Sequence, residues 1–349
     1  MARQTRRWIG MAGALLLSLG ACGVARAEPV AEFYAGKTIS FYVGSEAGSG
    51  FDAYARLVAR HLGKHIPGNP TIVVLNQPGA GSVNMVNTLA NVGPKDGTAI
   101  GAPQSSAMME KLLHLVSPGG KAANFDAANL NWIGNAAQDV FVLFSWSQGK
   151  VKSFADLTKT EMLSGSAGPN TDGSLVAHAL NHIFGTKIKL ITGYASSSGE
   201  LLAMERGEVD GAALAYNSTV ALRPDWVDQK KIRFLLQMGL TPEPRLQGVP
   251  FALDLVKSEE ERQVLELIFA KYQTGRPYFV APGVPEERVA ALRTAFDATM
   301  KDPALLSDAK TQRLEISPMT GAQVQALLAR LYRTPEAIVA RARQALGTE

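Results

Sequence analysis

From Thr38 onward the chain alternates short apolar runs with longer stretches whose apolar residues recur at helical spacing. The first kind reads as buried strand and the second as helix laid against a sheet. On this pattern strands are predicted at Ile39–Val43, Ile72–Leu75, Thr98–Ala102, Val140–Trp146, Ile188–Ile191, Gly211–Tyr216 and Ile232–Met238. Helices are predicted at Asp52–Leu62, Val83–Ala90, Leu175–Phe184 and Leu201–Glu205. After Pro285 the chain reads as helical almost to its end, most clearly over Glu286–Met300 and Ala322–Leu346. Such alternation implies an α/β protein with mostly parallel sheets.

The N-terminus departs from this pattern. Arg3, Arg6 and Arg7 precede an apolar run from Trp8 to about Ala21, and small residues follow at Ala25-Arg26-Ala27. That is the layout of a cleaved secretory leader, residues 1–27, with a run shorter than the roughly 20 residues a membrane span requires. The expected destination is the periplasm. Leu19-Gly20-Ala21-Cys22 also has the form of a lipobox, so a lipoprotein anchored through Cys22 is the alternative. Without the four leader arginines the basic and acidic residues balance at 31 each, which removes any electrostatic reason to expect nucleic acid as a partner. Cys22 is the only cysteine, so cleavage after Ala27 leaves no disulfide, and stability must come from packing. About 320 residues remain, more than one core usually grows to, which predicts two lobes.

Several strand-to-helix junctions carry Gly, Ser and Asn in place of catalytic side chains: Ser45–Gly50, Asn76–Ser82, Gln104–Ser106 with Ser105 at its centre, Ser166–Ser174 and Tyr194–Gly199. In an open sheet such loops gather at the carboxyl edge, where ligands bind. Each precedes a helix, whose free N–H groups and dipole favour an anion, and small residues let the backbone approach it. Because no Lys or Arg lies in Ser45–Gly50 or Tyr194–Gly199, a carboxylate could be held by backbone alone. Tyr216-Asn217, following a strand, is a further candidate for the cleft.

The order of short motifs then resembles one family. Gly48-Ser49-Gly50-Phe51-Asp52-Ala53-Tyr54-Ala55-Arg56 is similar to the Gly-Gly-x-x-Asp and Ala-Arg helix of the Bug-type receptors of tripartite tricarboxylate transporters. Asn76-Gln77-Pro78-Gly79-Ala80-Gly81-Ser82, Pro94-Lys95-Asp96-Gly97-Thr98, Gly165-Ser166-Ala167-Gly168, Gly207-Glu208-Val209-Asp210 and Phe279–Pro285 follow in the family's order, over essentially the whole chain beyond the leader. The resemblance implies a type II periplasmic-binding-protein fold, with one lobe from 28–133 plus 246–349 and the other from 134–245. It also implies closure on a small organic acid and delivery to a two-component membrane permease, by a monomer that needs no cofactor or metal. Carried over by residue, it marks Ser45, Ala47, Gly48, Ser49, Gly50, Asp52, Gly81, Ser82, Ser166, Gly168, Asn170, Thr171, Tyr194, Ser197, Ser198 and Asp210 as ligand-binding. This chain departs from the family in reading Glu46-Ala47-Gly48-Ser49 for Pro-Pro-Gly-Gly and in placing Glu200 just beyond Tyr194-Ala195-Ser196-Ser197. A ligand-sensing partner of a membrane signalling protein and a small-molecule enzyme are the rival classes.

Other signals are weaker. Gly79-Ala80-Gly81 begins a dinucleotide fingerprint, but Asn84 stands where its third glycine belongs. The pairs His61/His65 and His178/His182 have metal-ligand spacing without the glutamate of a metalloprotease motif. Gly165-Ser166-Ala167-Gly168 lacks the full nucleophile elbow that a serine hydrolase needs.

Overall fold

A computed structural model describes residues 29–115, 122–169 and 171–348, so the leader with Cys22, and Asn170, lie outside the described residues. The strands in chain order are β1 Thr38–Val43, β2 Thr71–Asn76, β3 Ala99–Ala102, β4 Asn131–Asn135, β5 Phe141–Trp146, β6 Met162–Ser166, β7 Ile188–Thr192, β8 Gly211–Ala215, β9 Ile232–Met238, β10 Pro277–Val280 and β11 Met319–Thr320. They form two sheets, ordered β11-β4-β10-β3-β1-β2 and β7-β6-β8-β5-β9.

In β1 the period of two is explicit: Ile39, Phe41 and Val43 are fully buried while their neighbours are not. They meet Tyr54, Leu57, Val58 and Leu62, the apolar face of the helix Gly50–Leu62, in one hydrophobic cluster. The second sheet repeats this with Val142, Phe144, Ala212 and Leu214 against Leu201 and Met204. The long C-terminal helical stretch is divided, with helices Glu286–Thr299, Pro303–Thr311, Gly321–Leu331 and Glu336–Leu346. The predicted segment Ala322–Leu346 breaks before Pro335, which lacks an N–H to continue a helix and instead stands just before the last one.

The α/β class is as expected, but the sheets are mixed where a mostly parallel arrangement was predicted. β1 pairs in parallel with β2 and β3, and β6 with β7 and β8. β10 pairs antiparallel with β3 and β4, β11 with β4, and β5 with β8 and β9. Apolar periodicity tells which residues are buried and is blind to strand direction, which the route of the chain decides. Here the chain crosses between sheets over Ala136–Val140 and again between Met238 and Pro277, and the second crossing brings β10 back against the grain of β3. The crossings are tied together: Ala136 N–H donates to Arg276 O at 2.9 Å, Asp139 N–H to Tyr272 O at 3.0 Å, and Arg276 N–H to the Asn135 side chain at 2.8 Å.

Candidate functional site: a cavity between the two sheets

Between the sheets lies a cavity of about 250 Å³. The β1 and β3 loops supply one wall, the loops after β6 and β7 and the end of β8 the other, and the paired crossings its floor. Three helices begin at its edge: Gly50–Leu62, Asp172–Phe184 and Ser197–Glu205. Their first N–H groups have no partner within the helix, and their dipoles present positive ends.

The β1 loop is braced from behind. Gly44 passes so close to Ser82 that a Cβ there would collide with the Ser82 hydroxyl. That hydroxyl donates to Gly44 O at 2.7 Å and accepts from Gln104 N–H at 2.9 Å, which locks three loops together. Ser49 caps the helix by accepting from Asp52 N–H at 3.2 Å, and its hydroxyl lies 2.8 Å from that of Ser45. Burial opposes ionisation of Asp52, but hydrogen bonds from Arg56, Gly48 N–H and Asn76 outweigh it and hold the carboxyl below its ordinary range.

Of the sequence candidates, Ser45, Ser49, Gly50, Gly81, Ser105, Thr171 and Ser197 line the cavity. Ser82 and Asp52 brace the loop that does, while Gly48 only donates to Asp52 and Ala47 is exposed. Ser166 sits beneath, its hydroxyl 2.7 Å from both Thr171 and Ser174 and 3.3 Å from Gly168 O. Tyr194 and Ser198 flank the second wall without lining the cavity, and the Tyr194 hydroxyl reaches Glu208 at 3.4 Å. Asp210 accepts from Leu163 N–H at 2.8 Å at the far end of β8 from Ala215, which is a lining residue. Tyr216 and Asn217 belong with Arg245, whose guanidinium stacks 4.8 Å over the Tyr216 ring and donates to Asn217 at 3.0 Å. The pair His61 and His65 is divided between two aspartates, His61 bonding Asp308 at 3.2 Å and His65 bonding Asp302 at 2.8 Å.

Of the charged groups of the cavity, Glu46 and Glu200 stand out in the sequence, while the basic residues and the ion pairs they make do not. Arg276, on the second crossing, lines it, which corrects the expectation of a site without a cation. Its guanidinium is buried, donates to Ser218 at 2.8 Å and to Gly275 O at 2.6 Å, and lies 4.5 Å over the Phe51 ring and 4.8 Å over Tyr54. Asp139 faces it at 3.5 Å, an ion pair without hydrogen-bond geometry. Burial pushes the Asp139 carboxyl up to about 6 even though Arg276 and the N–H groups of Asn217 and Val140 pull the other way. A second pair joins Lys271 Nζ to Asp172 at 2.5 Å, and Ser105 donates to the same carboxylate at 3.4 Å. Tyr272 stacks flat on Phe141, with centroids 4.8 Å apart, and completes the apolar floor. Glu200 is almost wholly buried, and desolvation pushes its carboxyl up to about 8 against the single opposing hydrogen bond from Ala167 N–H.

Two sheets joined by a double crossing, with a cavity between them ringed by helix N-termini, define a two-lobed binding protein of the periplasmic type. The chain belongs to the tripartite tricarboxylate transporter receptor family, whose model matches residues 54–342. Among solved structures, the periplasmic binding protein BugD is 16% identical with a TM-score of 0.69, covering 90% of this chain and 99% of its own. MatC from Rhodopseudomonas palustris, with bound malate, is 15% identical at TM-score 0.65, covering 89% and 99%. An R. palustris protein with adipate is 18% identical at 0.64, covering 89% and 97%. At these identities the likeness establishes the fold. A search of curated proteins finds no match.

Proposed function

We propose that this receptor captures a small carboxylate in the cavity between its sheets and presents it to a two-component permease outside the cytoplasm. The observation that carries the reading is the convergence of three helix N-termini and Arg276 on one cavity, two of whose four acids, Asp139 and Asp172, are paired with cations. Fixed N–H dipoles in a water-poor site hold an anion without reorganisation, and Arg276 adds positive potential, partly cancelled by Asp139. Family membership and the malate and adipate bound by structural neighbours support the ligand class. The lobes are 28–133 with 246–349 and 134–245, and binding works by closure: the ligand stabilises the form in which both walls touch it. No described helix is long and apolar enough to cross a membrane.

The reading is tested by mass spectrometry of the solute that copurifies, followed by a thermal-shift panel of carboxylic acids. A ligand of the native state alone raises the melting temperature. Saturable stabilisation by an acid supports the proposal; turnover of that acid to a new product contradicts it in favour of an enzyme.

A further inference from the structure

The cavity holds more acids than its anion-binding role requires. Among the described lining residues Glu46, Asp139, Asp172 and Glu200 are acidic and Arg276 alone is basic. Asp139 is committed to Arg276 and Asp172 to Lys271, and Glu46 is exposed at the rim. Glu200 is left. It stands in the first turn of the helix Ser197–Glu205, only 4% exposed, with the Ala167 N–H beside its carboxyl and Oε2 buried without a hydrogen-bond partner. A buried carboxyl oxygen without a partner is costly, and each such group in a native structure calls for a specific explanation. The surrounding titratable groups offer no cation. From the loop after β7 comes Tyr194, whose ionisation Glu200 opposes, and Glu205 is on its own helix. From the other lining elements come Glu46 and the two committed pairs, and the packed strands β6 and β8 contribute Gly165 and Leu214.

We propose that Glu200 is a specificity-determining residue that receives an ammonium group, so that the ligand is an amino-carboxylate whose carboxylate is held by the helix N-termini. The inference rests on the carboxylate reading above. It distinguishes three ligand classes by charge. A simple monocarboxylate leaves Glu200 unpartnered. A dicarboxylate brings a second anion to a wall with no uncommitted cation, and binds only if Glu200 keeps its proton and donates it. An amino-carboxylate supplies the missing counter-charge and draws Glu200 into its ionised form, releasing a proton. The sign of the pH response follows. Since the free carboxyl titrates at about 8, binding of an ammonium strengthens as pH rises through that value, until the amine itself deprotonates near about 10. Binding of a dicarboxylate to protonated Glu200 weakens over the same range.

The test is calorimetry with short linear carboxylates of matched length ending in methyl, ammonium or carboxylate, on the wild type and Glu200→Gln. The amino acid should bind wild type about tenfold or more tightly than its methyl counterpart, from a charge-assisted hydrogen bond. Glu200→Gln should remove most of that advantage, read as the ratio of amino-acid to methyl-acid affinity within the same protein, and the wild-type enthalpy should vary with buffer in the sense of proton release. A dicarboxylate that binds tightest and weakens with pH, or an amino acid whose affinity is indifferent to Glu200→Gln, overturns the inference and leaves carboxylate capture standing. Failure of every acid to bind overturns both.

Discussion

Glu200 and Asp139 set the sign of the pH dependence of the unliganded protein. Both carboxyls titrate higher when folded, at about 8 and about 6, because burial penalises their charged forms. The unfolded chain therefore gives up their protons at lower pH than the native state does. Their contribution is fully present below the ordinary carboxylate range and is lost as pH rises through the folded values. Glu110, buried and raised to about 7 by desolvation, acts in the same direction. Melting temperatures should fall as pH rises from about 5 to about 9, and Glu200→Gln should flatten the upper part of that slope. A flat profile in the wild type would mean that these carboxyls are solvated. Arg276 makes a second case. Removing it as Arg276→Met leaves Asp139 buried without its counter-charge, a loss of about 3 kcal/mol or more, measurable by denaturant unfolding. Asp139→Asn in the same background should recover part of it.

At the scale of elements, the β1 loop and its helix show what a sequence can display. The apolar run Ile39–Val43, the small-residue loop Ser45–Gly50 and the amphipathic run after it predict a strand, a loop and a helix, and all three occur, with Ser49 capping the helix, because each rests on local chemistry. Ser49→Ala should cost about 1 kcal/mol through the lost cap, visible in equilibrium unfolding. The strands β4, β6 and β10 were missed for the opposite reason. Asn131–Asn135 and Met162–Ser166 are poor in β-branched residues and Pro277–Val280 begins on a proline, so their pairing is imposed by neighbours. Arg276 and Lys271 shared that fate. Nothing adjacent in sequence marks either as part of a site; they enter it because the second crossing runs beside Ala136–Val140. The small-residue loops were legible because a helix start carries its own anion-binding chemistry, and the ion pairs were not because their partners lie 99 or more residues away, as for Lys271 and Asp172.

For the whole molecule, the two walls already share contacts through the cavity's margin. Ser218 touches both Arg276 and the start of the helix Gly50–Leu62, where a Cβ on Gly50 would collide with it. Arg245 reaches Asn217 on one side and Glu315 on the other. These links must break for the walls to part, and a ligand that bridges both walls should add to them and bias the molecule toward the closed form. On the proposed function the anion is held at Ser49, where a helix start, a hydroxyl and Arg276 meet within one cavity. Isothermal titration of the wild type and Ser49→Leu with the carboxylate that stabilises the protein most tests it directly. The expected result is one site per chain in the wild type and affinity weakened by about thirtyfold or more in the variant, since a leucine removes the hydroxyl and its bulk keeps the anion from the N–H donors at the helix start. Equal affinity in the two proteins, with both folded by circular dichroism, would contradict the claim.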